Sequence, residues 1–216
     1  MKSSDKQDQT TPGAAAAAML IWLGAQLAAL GICAGRAMLW ARAPQAGEQL
    51  ALFVMLAMQI AMSALLFPHL LGSVRSTIPA IVTAWPMAQL AAYLSDAPAT
   101  HLVFGELYVC TWMIALHLWA GILPNPWSKL LGIGIASMLS LGGPVLWYLR
   151  ADFSRDDSQL PLWSMSMFGP ICGAISQVVP GGSNLGWTIP ASVFAAGLLG
   201  YFLKRTRWEF SRQVIH

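Results

Sequence analysis

Glu106, Cys110, Met113 and His117 recur at spacings of four, three and four residues inside an otherwise apolar run. On a helix that turns about 100° per residue, the four fall within about 60° of one another, while Leu107, Thr111, Ile114 and Leu118 occupy a different sector. A carboxyl, a thiol, a thioether and an imidazole on one stripe can line a water-filled cavity between helices or contact a polar solute. A carboxylate facing hydrocarbon costs several kcal/mol, so Glu106 is expected to face other helices and either carry its proton or find a partner. His117 lies eleven residues on, about 16 Å along the axis, too far to be that partner. The alternative is interfacial: Glu106 is five residues from His101 and reaches headgroup water.

His69, His101 and His117 open a second chemistry, axial ligation of haem. His101 and His117 are separated by about 24 Å along one helix and lie on nearly opposite faces, so they do not share an iron. A pair needs His69, with His117 if the chain crosses the bilayer seven times and with His101 if it crosses six. The sequence holds no GxxxxGK[ST], HExxH, GxSxG or CxxC, and Gly181-Gly182-Ser183-Asn184 reads as a turn. Cys33, Cys110 and Cys172 fall in apolar runs at unrelated spacings, as buried apolar side chains would, and not as a disulfide or metal set. No residue set here points to catalysis by this chain alone, and no metal site is expected.

The elements that must position these residues are membrane helices. Of the 216 residues 56% are hydrophobic and 10% charged, where a soluble domain carries about a quarter charged. The fold class is therefore all-α, a polytopic helical membrane protein. Apolar runs at 17–40, 49–71, 101–123, 128–149, 160–180 and 186–203 approach or exceed the roughly 20 residues that span a bilayer. A further uncharged run, 76–95, contains Pro79 and Pro86 and is a kinked seventh span, a re-entrant segment or an interfacial helix. Residues 1–13 read as a disordered cytoplasmic tail, 14–204 as one transmembrane domain and 205–216 as a basic cytoplasmic tail.

Small residues in rows (Gly132, Ala136 and Ser140; Gly169 and Gly173; Ser192, Ala196 and Gly200) predict close helix packing. Gly142-Gly143-Pro144 and Gly169-Pro170 predict kinks. Trp22, Trp40, Trp127, Trp147, Trp163 and Trp187 lie toward the ends of runs, as an aromatic belt would.

The net charge of +3 comes from basic residues that flank apolar runs, a topology signal directed at membrane lipid and not a nucleic-acid stripe. Lys204, Arg205, Arg207 and Arg212 follow the last run, and Arg150 and Arg155 lie in a connector. Together they place the C-terminus in the cytoplasm, with a bacterial inner membrane as the expected location. Six spans put nine of the twelve basic residues inside and seven put eight. Charge does not choose between them.

Leu94-Ser95-Asp96-Ala97-Pro98, followed by Leu102-Val103-Phe104-Gly105-Glu106, resembles a segment of ABC-2-type transporter permeases. There a polar group and a proline follow the cytoplasmic coupling helix, and a leucine-x-x-glycine-lysine pattern opens the next span. The resemblance implies a six-span permease with both termini cytoplasmic, paired with itself or another permease subunit. It also implies a separate ATP-binding chain docking near Ile78 to Pro98, where Thr83, Asp96 and Pro98 shape the docking surface. ATP chemistry would reside on that partner, no cofactor would be held, and Glu106 and His117 would line an inter-helix cavity. Two other functions remain open on the residues: an electron-transfer subunit holding haem or quinone through His69, His101 or His117, and a non-catalytic structural subunit of a larger membrane complex.

Overall fold

A computed structural model describes residues 12–39, 50–153, 169–178 and 187–213. The expected tail over residues 1–11, Trp40, Arg155, Trp163, most of the 160–180 run and the 181–184 turn lie outside the described residues. Every regular element among those described is helical: α1 (Pro12–Leu39), α2 (Leu50–Leu70), α3 (Val74–Leu94), α4 (Ala99–Ile122), α5 (Pro126–Phe153), α6 (Pro170–Ser176) and α7 (Thr188–Gln213). The chain is all-α. Four of these helices are long and apolar enough to cross a bilayer: α1 over Gly13–Gly35, α2, α4, and α5 over Pro126–Leu146. That makes it a multi-pass integral membrane protein.

Helix α2 is apolar around most of its circumference, interrupted by Gln59 and Ser63, and such a helix belongs at the centre of a bundle. It touches α1, α3, α4, α5 and α6, and Leu52, Leu56, Ile60 and Phe67 are fully buried along it. The small-residue row of α5 faces it: Ala136 and Ser140 are buried, and Gly132 lies against Phe67 and Leu123.

Helix α3 settles what the 76–95 run is. It starts at Ser73, whose hydroxyl accepts from the Ser76 backbone N–H at 3.3 Å. Its 21 residues extend about 31 Å. Ala80, Ala84, Ala88 and Ala91 are buried, letting neighbouring backbones approach, while Ile78, Val82, Trp85 and Leu90 point outward. Two cross-links fix its register. Gln59 Nε2 in the middle of α2 donates to the Ala84 carbonyl in the middle of α3 at 3.0 Å. His117 near the end of α4 meets Thr77 Oγ1 in the first turn of α3 at 3.1 Å and the Leu71 carbonyl just beyond α2 at 2.6 Å. So α2 and α4 run parallel, and α3 returns between them over the full depth of the bundle. It is neither an interfacial nor a re-entrant segment.

The polar knot that ends α3 is a helix stop of recognisable chemistry. Asp96 adopts a left-handed backbone with φ of 47°. The Ala97 N–H reaches the Ala92 carbonyl at 2.9 Å and the Asp96 N–H reaches Tyr93 at 3.4 Å. These are the two bonds of a Schellman motif, with aspartate where glycine is commonest. Pro98, at the N-cap position of α4, cannot continue the preceding helix and opens the next one.

Helices α4 and α7 pack closely and run parallel. Gly197 lies against Leu118 and Trp119, and Gly200 against Ile122. Trp119 Nε1 donates to the Val193 carbonyl at 3.1 Å, and Lys204 Nζ donates to the Gly121 carbonyl at 2.7 Å. The face that meets α4 is therefore Val193, Gly197 and Gly200. Ser192 and Ala196, expected in that row, are exposed. Helix α7 continues to Gln213, so the expected tail from residue 205 is largely helical.

Because α4 and α7 are parallel, Arg75, Lys129 and Lys204 gather at one end of the bundle and the Asp96–Pro98 turn lies at the other. Neither expected arrangement, six spans or seven, has that distribution. The difference arises because α3 traverses the bundle while α6, the described part of the 160–180 run, is seven residues long and about 10 Å in extent. Gly169 precedes it with φ of 116°, and its α-carbon faces the Leu139 carbonyl so closely that a side chain there would collide with it. Two tryptophans also depart from the expected belt. Trp22 is fully buried, and Trp187 packs against Tyr108 with ring centroids 5.3 Å apart. Trp127, 80% exposed, has the character of an interfacial residue.

Candidate functional site: a buried acid and amide centre

Polar groups of four helices meet at mid-bundle. Gln59 of α2 uses both hydrogens of its amide, donating to Gln26 Oε1 of α1 at 3.0 Å and to the Ala84 carbonyl of α3 at 3.0 Å. Gln26, Gln59 and Glu106 are each fully buried. Gln59 lies beside Glu106, yet neither carboxyl oxygen has a hydrogen-bond partner of normal geometry among the described residues. Gln59 Oε1 and Gln26 Nε2 are likewise unpartnered there. Buried polar atoms nearly always have partners, so a concentration of unsatisfied ones marks either a ligand position or a strained core.

Helical geometry brings the acid to this point. Gly105, one residue before it, packs so tightly on Leu56 that a β-carbon would displace that side chain. This draws α4 onto α2 and turns Glu106 into the bundle. Met113 is fully buried on the same face, Cys110 and His117 are half-buried, and Leu107 and Ile114 are exposed. Glu106 therefore lies inside the bundle and not at a headgroup surface.

Other orphaned groups surround the centre. The Tyr108 hydroxyl and Trp112 Nε1 are buried without partners among the described residues, and the Tyr108 hydroxyl presses on Gly173 of α6. On α5 the Ser140 hydroxyl is buried without a partner among the described residues, and Pro144 withdraws the N–H that the Ser140 carbonyl would normally receive.

The remaining candidates are dispersed. His117 is a clasp: its Nδ1 lies 2.6 Å from the Leu71 carbonyl and 3.1 Å from Thr77 Oγ1. A carbonyl only accepts, so a proton is on Nδ1. His69 is exposed at the same end of the bundle, and His101 is half-buried toward the other end. The parallel course of α2 and α4 thus excludes His69 with His101 and leaves His69 with His117 at one depth. Among the described residues no three His, Cys, Asp or Glu side chains group as a metal site.

The expected docking residues separate as well. Thr83 is turned inward, its hydroxyl donating to the Pro79 carbonyl at 2.8 Å and accepting from Trp22 Nε1 at 3.3 Å. It is half-buried and braces α1 on α3. Asp96 and Pro98 are exposed in the α3–α4 turn.

The sequence reading did not single out Gln26, Gln59 or Tyr108, and it named Ser140 only as a small residue in a packing row. A signal for the glutamines was present, since each is the lone strongly polar residue amid an apolar run, and such residues face neighbouring helices in a membrane.

Fold and site together define a class: a multi-pass helical membrane protein with a carboxyl and two amides closed inside its bundle. No protein-family model, curated protein or solved structure matches the chain.

Proposed function

We propose that the chain is a permease-like subunit of a transporter in a bacterial inner membrane, with Glu106 at the polar centre of its pathway and ATP hydrolysed on a separate partner chain. The observation that carries this reading is the full burial of Glu106 beside Gln59, with neither oxygen in a hydrogen bond of normal geometry among the described residues. A helix bundle that serves only as scaffold gains nothing from such a group, whereas intramembrane acids characteristically mark solute and ion pathways.

Orientation follows from charge. The end that holds Arg75, Lys129, Lys204 and Arg205 is cytoplasmic by the positive-inside rule, and with it the C-terminus. The Asp96–Pro98 turn then faces outward, so the ATPase docks on the α2–α3 and α4–α5 turns and not at the segment that resembles the ABC-2 permeases.

The test is affinity purification of the full-length chain from its native membrane in mild detergent. An ATPase chain should co-purify, and Arg75→Glu should release it while Asp96→Lys leaves it bound. Recovery of the chain with no ATPase, or release by Asp96→Lys alone, overturns the ATP-driven part.

A second reading is kept by His117. An imidazole that donates from Nδ1 to a carbonyl presents Nε2 as histidine ligands of metals do. In that case His117 and His69 would hold a haem in an electron-transfer subunit, and a Soret band in the purified protein would establish it over the permease.

A further inference from the structure

Donors and acceptors do not balance at the polar centre. The Ala84 carbonyl only accepts, so the amide nitrogen of Gln59 faces it, and that one bond fixes which way both glutamines point. Gln59 spends its second hydrogen on Gln26 Oε1, which leaves none for the carboxyl of Glu106 beside it. Glu106 Oε1, Glu106 Oε2 and Gln59 Oε1 are thus three acceptors without a donor among the described residues.

Space is as restrictive as the chemistry. Glu106, Gln59 and Gln26 are each 0% exposed, so no water-sized sphere touches the carboxyl oxygens. An ionised carboxylate held there has neither water nor a partner, the costliest state for a carboxyl in a membrane. Ca²⁺ and Mg²⁺ take about six or more oxygens, and Glu106 and Gln59 offer three between them. A proton neutralises the charge and needs no volume.

No helix packed on α4 sets a charge against Glu106 among the described residues. Helix α2 carries only His69 and α3 only Arg75 and Tyr93, all at their ends. Helix α6 has Cys172, which lies by Tyr108. Helix α7 has no ionisable residue before Tyr201, which follows the Gly200 that meets Ile122. On α4 itself the Cys110 thiol, one turn on, is the ionisable neighbour, and His101 and His117 are five and eleven residues away.

We infer that Glu106 binds and releases a proton as the pathway closes and opens: the structure is the closed, protonated state, and water that reaches the carboxyl when α4 parts from α2 takes the proton. The step balances, since carboxylic acid and water give carboxylate and hydronium, and closure reverses it. The hydrogen bonds single out α4 as the side that moves. Gln59 is tied to α1 and α3, whereas no hydrogen bond ties the Glu106 side chain to α2 among the described residues. This names the ion handled at the polar centre, and it rests on the reading of Glu106 as part of a pathway.

The test is infrared spectroscopy of the full-length protein in phosphatidylcholine vesicles at pH 7, wild type against Glu106→Gln. The wild type should show a carboxylic-acid C=O band that Glu106→Gln loses. Transfer to D2O should move that band to lower frequency as the carboxyl exchanges its proton, while the amide II band keeps most of its intensity because the helices stay folded. Absence of a Glu106-dependent band would mean an ionised or cation-bound carboxylate. A band that never moves, or that moves only as amide II disappears, would mean a fixed structural acid. Each of these overturns the inference. The spectrum needs no partner chain, so a band that moves in a protein that recovers no ATPase leaves the proton site standing and removes only the ATP-driven part.

Discussion

Replacing Glu106 with leucine should make the protein more stable. The carboxyl is fully buried, and neither oxygen has a partner of good geometry among the described residues. Leucine fills similar space, keeps the contacts of the Glu106 side-chain methylenes, and removes two polar atoms that the bundle does not satisfy. An unsatisfied buried polar group costs about 1–3 kcal/mol. For a chain of this length each kcal/mol moves the melting temperature by about 2–4 °C, so Glu106→Leu should raise it by about 2–12 °C. Glu106→Gln keeps the shape and the polarity and should stay within about 1 kcal/mol of the wild type. The measurement is thermal unfolding in one detergent, followed by tryptophan fluorescence, with transport or partner-stimulated activity recorded on the same samples. Rising stability with falling activity is the signature of a group retained for function at the expense of the fold. A melting temperature that drops for leucine but holds for glutamine would falsify this reasoning, because it would mean that the acid ties α4 to α2.

Four further outcomes are expected. Asp96→Gly should stabilise the protein by about 1 kcal/mol, since it relieves a left-handed backbone that disfavours a β-carbon, whereas Asp96→Ala should not; chemical or thermal denaturation compares the two. His117→Ala strips the Leu71 carbonyl of its donor and should destabilise by about 1–3 kcal/mol, with faster hydrogen exchange or proteolysis at the α2–α3 turn as the local readout. Gly173→Ala drives a methyl into the Tyr108 hydroxyl and should cost about 1–3 kcal/mol. Tyr108→Phe should restore part of that loss, and a double-mutant cycle that is purely additive would show that the two do not touch. For topology, a reporter inserted after Asp96 and one fused after His216 should lie on opposite sides of the membrane. The same side for both would contradict the parallel packing of α4 on α7.

Hydropathy made most of the helices legible. The expected runs 49–71 and 101–123 correspond to Leu50–Leu70 and Ala99–Ile122, because a strongly apolar segment bounded by polar residues has few other states in a bilayer. The fate of 76–95 was not legible. Its alanines and two prolines suit an interfacial or a crossing helix equally, and the choice depends on the contact of Ala84 with Gln59 across the bundle. The 160–180 run was read from composition as a full span. Yet α6 is short because a glycine at φ of 116° precedes it and a turn at Gln177–Val178 follows it. Periodicity placed Glu106 on one stripe with Met113 and His117 without revealing its neighbours. Those come from α1 and α2, more than forty residues away in sequence, and no single-helix pattern contains them.

The character of α3 has a consequence for how the chain is made. Helix α3 carries Arg75, Ser76, Thr77, Thr83 and two prolines within 21 residues, and it is not among the helices apolar enough to enter lipid by composition alone. During synthesis the three residues from Leu71 to Ser73 deliver it directly behind α2. Gln59, already waiting in α2, offers the amide that will hold the Ala84 carbonyl. Insertion of α3 is thus an act of the hairpin, not of the segment, and α2 serves as its chaperone in cis. Transplanted alone behind a neutral leader, the same 21 residues would be released to the aqueous side.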